Sequence, residues 1–258
     1  MPISTTAEPF FADAVPTPDG GHRVGVLLLQ GFTGSPASVR PWGRHLADQG
    51  FGVAVPRLPG HGTTWRDLNR TTWSDWYAEA DRCFEKLRAD TDSVVVGGLS
   101  MGGGLALRLA ADRGREVAGV VLVNASVTTA RKDVLALPVL KRLVPSFPGI
   151  ADDIKKPGVV EHGYRRTPLK AAHSMMTGWK ALRDDLPKVT QPLLVFRSAV
   201  DHVVDPSSAT LIRATVSSRD VTERVLENSY HVATLDHDAP TIFAESVRFV
   251  LRVTGVRG

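Results

Sequence analysis

A chain of 258 residues with a single cysteine and a formal net charge of +4 suits one α/β domain and excludes both an internal disulfide and a multi-cysteine metal site. Apolar residues make up 43% and charged residues 22%, the balance of a globular protein rather than a disordered or fibrous one. The positive surplus is spread along the chain, whereas nucleic-acid binding calls for a clustered basic footprint.

The opening stretch MPISTTAEPFF lacks a basic region followed by an apolar one, and no apolar run approaches the ~20 residues of a membrane span. The expectation is a cytoplasmic protein. Val24–Leu29 (VGVLLL) is continuously apolar, as a strand covered on both faces requires. Gly52–Pro56 (GVAVP) is a second strand. Trp73, Trp76, Tyr77, Ala80, Phe84 and Leu87 then recur at three- and four-residue steps, which predicts one apolar helix face. Thr72 and Asp75 form a capping-box pattern at its start. Cys83 falls in this helix and reads as an inert, buried or half-buried thiol. Val94–Val96 and Val117–Val123 are further strands, with a helix through Leu105, Leu107 and Leu109 between them.

From about Ser126 to Thr190 no convincing strand is predicted. The stretch holds short helical patterns, several prolines (among them Pro138, Pro145, Pro148, Pro157 and Pro168) and the basic pairs Lys155–Lys156 and Arg165–Arg166. It is too long for a plain loop. It reads as a small helical cap, about 126–190, inserted in a single domain spanning 1–258; the alternative is an ordinary crossover with a decorated loop. Strands Pro192–Phe196 and Thr222–Leu226 follow. A C-terminal helix through Phe243, Val247, Val250 and Leu251 opens at Asp238 and Pro240. Strands alternating with helices imply a mostly parallel central sheet flanked by helices.

The chemistry begins where Val94–Val96 runs into Gly97-Gly98-Leu99-Ser100-Met101-Gly102-Gly103-Gly104. Gly98-x-Ser100-x-Gly102 between a buried strand and a helix is the nucleophile elbow of the α/β-hydrolase fold. The tight turn lifts the Ser100 hydroxyl to the end of the sheet, beside a helix N-terminus that favours negative charge. A glycine-rich anion-binding turn is the rival reading, but no Gly-Lys-Ser/Thr follows. A serine hydroxyl needs a base, and in this fold the order is serine, acid, histidine. Asp201, after Pro192–Phe196, is the candidate acid. Asp205 is the alternative, but it precedes Pro206 and reads better as a helix cap. His231, after the last strand, is the candidate base. His237 reads as a surface residue, and His45, His162 and His173 as solvent-facing or structural. An oxyanion needs two donors. The Met101 amide, next to the nucleophile, is one. The loop Gln30-Gly31-Phe32-Thr33-Gly34-Ser35-Pro36 offers the other, at Phe32, whose ring is free to serve the core. No cofactor or metal is needed.

The segments QGFTGSP (30–36), PRLPGHGT (56–63), GLSMGG (98–103), DHVV (201–204) and NSYHVATLD (228–236) resemble those of the bacterial monoacylglycerol lipases and their near relatives, the small bacterial carboxylesterases. The resemblance runs from Glu8 to the C-terminus. It implies an α/β-hydrolase core with a small helical cap, and ester hydrolysis through Ser100, Asp201 and His231 with the Phe32 and Met101 amides as oxyanion donors. It also implies a small lipid ester as substrate, and transient contact with a lipid surface through the cap. In that family a cap isoleucine and a cap glutamate meet the glycerol head; the matching residues are Ile150 and Glu161. The acyl chain is expected near Met175, Met176 and Trp179, which equally suit the cap core. One departure stands out: the family carries His-Gly where this chain has Gln30-Gly31. Thioesterases, C–C hydrolases and haloperoxidases share the fold, as does a non-catalytic receptor that keeps the pocket.

Overall fold

The computed structural model describes residues 7–17 and 21–256; the reading of the first residues, MPISTT, lies outside them. In chain order its elements are β1 (Phe10–Ala12), β2 (Val24–Leu29), α1 (Arg40–Asp48), β3 (Gly52–Val55), α2 (Trp65–Leu68), α3 (Trp73–Asp90), β4 (Ser93–Leu99), α4 (Met101–Arg113), β5 (Val117–Val123), α5 (Leu137–Leu143), β6 (Ser146–Pro148), β7 (Arg166–Pro168), α6 (Leu169–Asp185), β8 (Leu193–Ser198), α7 (Ser207–Thr215), β9 (Val221–Leu226) and α8 (Ala239–Thr254).

The main sheet has the order β1-β3-β2-β4-β5-β8-β9. β1 joins antiparallel to β3, and the other six strands are parallel. The central strands are predominantly apolar because their two faces enter two different cores. Leu27, Leu29, Val94, Val96, Val120 and Leu122 pack with α3, α4 and α6. The alternate residues Val26, Leu28, Val95, Val121 and Val123 pack with α1 and α8. This period of two is the strand geometry itself. Each large side chain so buried contributes about 1.5–3 kcal/mol. The capping box at Thr72–Asp75 is formed, and α3 buries Trp73, Trp76, Ala80, Cys83, Phe84 and Leu87.

The strand order reverses between β2 and β4. In an open α/β sheet the crevice beyond the strand ends at such a switch is where ligands bind. Pairing of Leu29 with Gly98 therefore brings the loop after β2 beside the turn after β4.

Between β5 and β8 lie α5, α6 and, contrary to the sequence expectation, a two-stranded antiparallel ribbon. In it Ser146 pairs with Pro168, Phe147 with Thr167 and Pro148 with Arg166. Each strand is three residues long and bounded by proline, which suits a ribbon edge but leaves no alternation to read. β1 escaped notice for the same reason of length. Among the described residues no helix is long and apolar enough to cross a membrane.

Candidate active site

Ser100 follows β4 directly and caps α4 with φ 55° and ψ −120°. A non-glycine residue at positive φ is strained, and such strain gathers at functional turns. Ser100 N–H donates to the Val123 carbonyl at 2.9 Å, and the Ser100 carbonyl accepts from Ser126 N–H at 3.1 Å, so the turn is tied to the end of β5. The flanking glycines are required by contact. A Cβ at Gly98 would stand 2.3 Å from the Gly102 carbonyl carbon, and one at Gly102 would stand 2.1 Å from the Leu29 carbonyl oxygen.

Asp201 and His231 meet across the loops after β8 and β9. His231 Nδ1 lies 2.8 Å from Asp201 Oδ2, and both side chains are 8% exposed. The other carboxylate oxygen, Oδ1, accepts the N–H groups of Val203 and Val204, each at 2.8 Å. Burial pushes the Asp201 pKa upward, but these bonds and the imidazole outweigh it and hold it below the usual carboxylate value. Burial likewise pulls His231 down. The Asp201 hydrogen bond and the negative charges of Asp201, Glu161 and Asp153 override it, so the imidazole binds its proton more tightly than a free one. The alternative acid, Asp205, is engaged elsewhere: it accepts Ala130 N–H at 2.9 Å and Ser207 N–H at 3.0 Å at the start of α7. His237 is exposed.

Two residues that no motif announced align these loops. Asn124, at φ 44° just past β5, donates from Nδ2 to the His231 carbonyl at 2.8 Å and to Ser198 Oγ at 2.9 Å. Ser198 N–H in turn donates to Asn124 Oδ1 at 2.8 Å, and Ser198 Oγ to the Tyr230 carbonyl at 2.8 Å. The only signal available was an asparagine at a strand end, which is common in turns.

The loop after β2 runs alongside Ser100, with the position of a Cβ on Gly31 only 3.3 Å from Ser100 Cβ. Among the described residues, the Phe32 and Met101 N–H groups make none of the turn, loop or cap hydrogen bonds. Thr33, at φ 66°, uses its carbonyl to accept Tyr164 N–H at 3.0 Å. Gln30 is fully buried, and both polar atoms of its amide lack a partner among the described residues.

A cavity of about 800 Å³ opens on Ser100 and His231, within the roughly 300–1,000 Å³ typical of small-molecule sites. Leu137, Leu140, Leu169, Met175, Met176 and Trp179 line it from α5 and α6. Trp179 is also part of the main core, with Met175 and Met176 packed against it, so these three serve core and cavity together. Ile150 and Glu161 both line the cavity, in opposite settings: Ile150 is 55% exposed and Glu161 is buried. The carboxylate rests on Gly34, where a Cβ would stand 2.7 Å from Glu161 Oε1. Burial, reinforced by Asp152 and opposed by His231, lifts the Glu161 pKa to about 7.

Residues 20–238 match the family described as serine aminopeptidase, S33. The chain belongs to this family. This S33 hydrolase is 38% identical over 261 residues to the thermostable monoacylglycerol lipase of Bacillus sp. (strain H-257), covering 98% of each chain. It is 28% identical over 237 residues to the carboxylesterase of Bacillus subtilis (strain 168), covering 90% of this chain and 93% of that one. A solved structure from the metagenome-derived lipolytic pair LipS and LipT matches it with a TM-score of 0.91 at 37% identity, covering 97% of this chain and 100% of the other. The S33 hydrolase thus has the α/β-hydrolase fold that its elbow implied.

Proposed function

We propose that this S33 hydrolase cleaves carboxylic esters, monoacylglycerols above all, to fatty acid and glycerol through an acyl-enzyme on Ser100. The observation that carries the reading is one cavity combining the oriented Asp201–His231 pair, Ser100 at its strained turn, a long apolar wall and the buried carboxylate of Glu161. The full-length likeness to a monoacylglycerol lipase supports it.

His231 takes the Ser100 proton as the hydroxyl attacks the ester carbonyl. Asp201 fixes the imidazole tautomer and stabilises the cation that forms. The amides of Phe32 and Met101 receive the oxyanion. The alcohol leaves with the proton from His231, and water then frees the acid by the same steps. The acyl chain lies along α5 and α6. Glu161, when ionised, accepts hydrogen bonds from the two free glycerol hydroxyls, and Ile150 packs against the head at the rim.

In this reading the segment about 126–190 is a cap that shapes the cavity. It also meets the lipid surface from which substrate is drawn. Leu135, Val139 and Leu143 recur every four residues at 80%, 61% and 74% exposure, beside Lys132, Lys141 and Arg142.

The test is product release. A long-chain monoacylglycerol should yield fatty acid and glycerol, and a fluorophosphonate should label Ser100 alone and stop turnover. Labelling elsewhere would sink the mechanism. Equal preference for simple alkyl esters would reduce the reading to a general carboxylesterase.

A further inference from the structure

The acid and the base sit on two separate loops, one after β8 and one after β9, and neither loop sequence sets the distance between them. One carboxylate from outside both loops spans the gap. Asp153, between β6 and β7, accepts on Oδ2 the backbone N–H of His231 at 3.1 Å and of His202 at 3.2 Å. Its Oδ1 lies 2.8 Å from His202 Nδ1, and its side chain is only 10% exposed. The Asp153 carbonyl accepts Val232 N–H at 3.1 Å. His202 adjoins Asp201 and Tyr230 adjoins His231; their rings meet edge to face with centroids 4.7 Å apart.

A second carboxylate makes the reverse stitch. Asp236, buried on the His231 loop, accepts Tyr230 N–H at 2.9 Å and reaches into the inserted segment to accept Lys155 N–H at 2.7 Å and Lys156 N–H at 2.9 Å. The neighbouring Asp152 is held at φ 58° and accepts Glu161 N–H on its side chain at 2.7 Å. Residues in such backbone conformations persist only where their surroundings over-determine them.

We infer that Asp153 is a positioning residue for the reaction: it locks the His231 backbone against the Asp201 loop, so the triad is in register only while the segment around 152–161 is seated. This rests on the catalytic roles proposed above for Ser100, Asp201 and His231. Misplacement by 1 Å of a group remote from the chemistry costs on the order of 10²-fold in rate, which sets the scale of the effect. A purely packing role would not need a buried carboxylate, which is costly to dehydrate unless donors meet it. The charge has a second consequence. Asp153 stands with Asp201 and Glu161 among the anions that favour protonated His231, against its burial, and Asp236 lies on the same loop.

The experiment measures kcat and KM against pH for Asp153→Ala and Asp153→Asn on a short nitrophenyl ester, which lacks glycerol hydroxyls. Fluorophosphonate labelling and thermal melts run alongside. Asp153→Ala should lose roughly 10–100-fold in kcat with KM nearly unchanged. Asp153→Asn keeps an acceptor oxygen, so it should recover much of that loss. With one anion fewer facing His231, its acidic limb in kcat/KM should move to lower pH. Should Asp153→Ala fail to fold, Asp153→Asn decides alone: its limb moves, or the inference falls. Wild-type kcat and an unmoved limb in variants that merely melt earlier would overturn it. Turnover persisting in Ser100→Ala would instead overturn the proposed mechanism, which separates the two failures.

Discussion

At the turn after β4 an added methyl group would stand 2.3 Å from backbone, whereas in the segment between β5 and β8, which lines the same cavity through Leu137 and Leu140, Leu135 is 80% and Leu143 74% in solvent. The two regions share one site and differ in how much freedom their residues keep. The elbow, the Asp201 loop and the His231 loop are packed to contact and cross-linked by hydrogen bonds, so their geometry is set before any ligand arrives. The segment between β5 and β8 buries some apolar residues toward the cavity and exposes others. Its exposed face around α5 packs against no described residue of the sheet, whereas residues 152–156 are bonded to the loops after β8 and β9. The division implied is that the core performs the chemistry, while the cavity-facing part of the inserted segment selects what reaches it and its stretch around 152–161 holds the His231 loop.

That division is open to attack from the core side first. Ser100→Ala or His231→Ala should reduce turnover by on the order of 10⁵ or more on every ester alike. A loss confined to one substrate class would show the chemistry and the selection to be mixed. Asp201→Asn should cost roughly 10⁴ in kcat while leaving the fold intact, because the imidazole loses its oriented acceptor. Asp205→Asn should leave kcat much closer to normal, since that carboxylate serves Ala130 and Ser207. A reversal of the two effects would name the wrong acid.

Glu161 gives a stability test from the other region. Its pKa is raised from 4.5 to about 7 by burial, so the folded chain holds this proton more tightly than the unfolded one. Stability is therefore lost as pH rises from 4.5 towards 7. Glu161→Gln should be more stable than wild type by about 3 kcal/mol well above that window and equal to it below. Denaturant melts across the range read this directly, and a difference independent of pH would contradict it. The smallest effect is expected at Gln30. Gln30→His should leave activity similar or higher, because the amide makes no hydrogen bond among the described residues that a histidine would break. A collapse in turnover would mean the loop after β2 has been rebuilt around glutamine.

The contrast also explains what the sequence disclosed. VGVLLL and VAGVVLV read as strands because both faces of β2 and β5 are buried, which leaves no polar alternation to confuse the pattern. The elbow was legible because its glycines are forced by contact. β1, β6 and β7 were not legible: three residues carry no periodicity, and prolines bound the last two. Asn124, Asp153 and Asp236 stayed hidden for a different reason. Each works by bonding backbone groups far away in sequence, and backbone partners leave no trace in residue identity.

The measurement that reaches the division most directly pairs two substrates of the same fatty acid, a monoacylglycerol and a nitrophenyl ester, and compares kcat/KM for wild type and Glu161→Ala. Loss of charged hydrogen bonds to the glycerol hydroxyls, about 1.5–3 kcal/mol each, should lower kcat/KM on monoacylglycerol at least roughly tenfold and leave the nitrophenyl ester little changed. Equal losses on both, or none on either, would contradict a carboxylate that selects glycerol and leave the inserted segment without the role assigned to it.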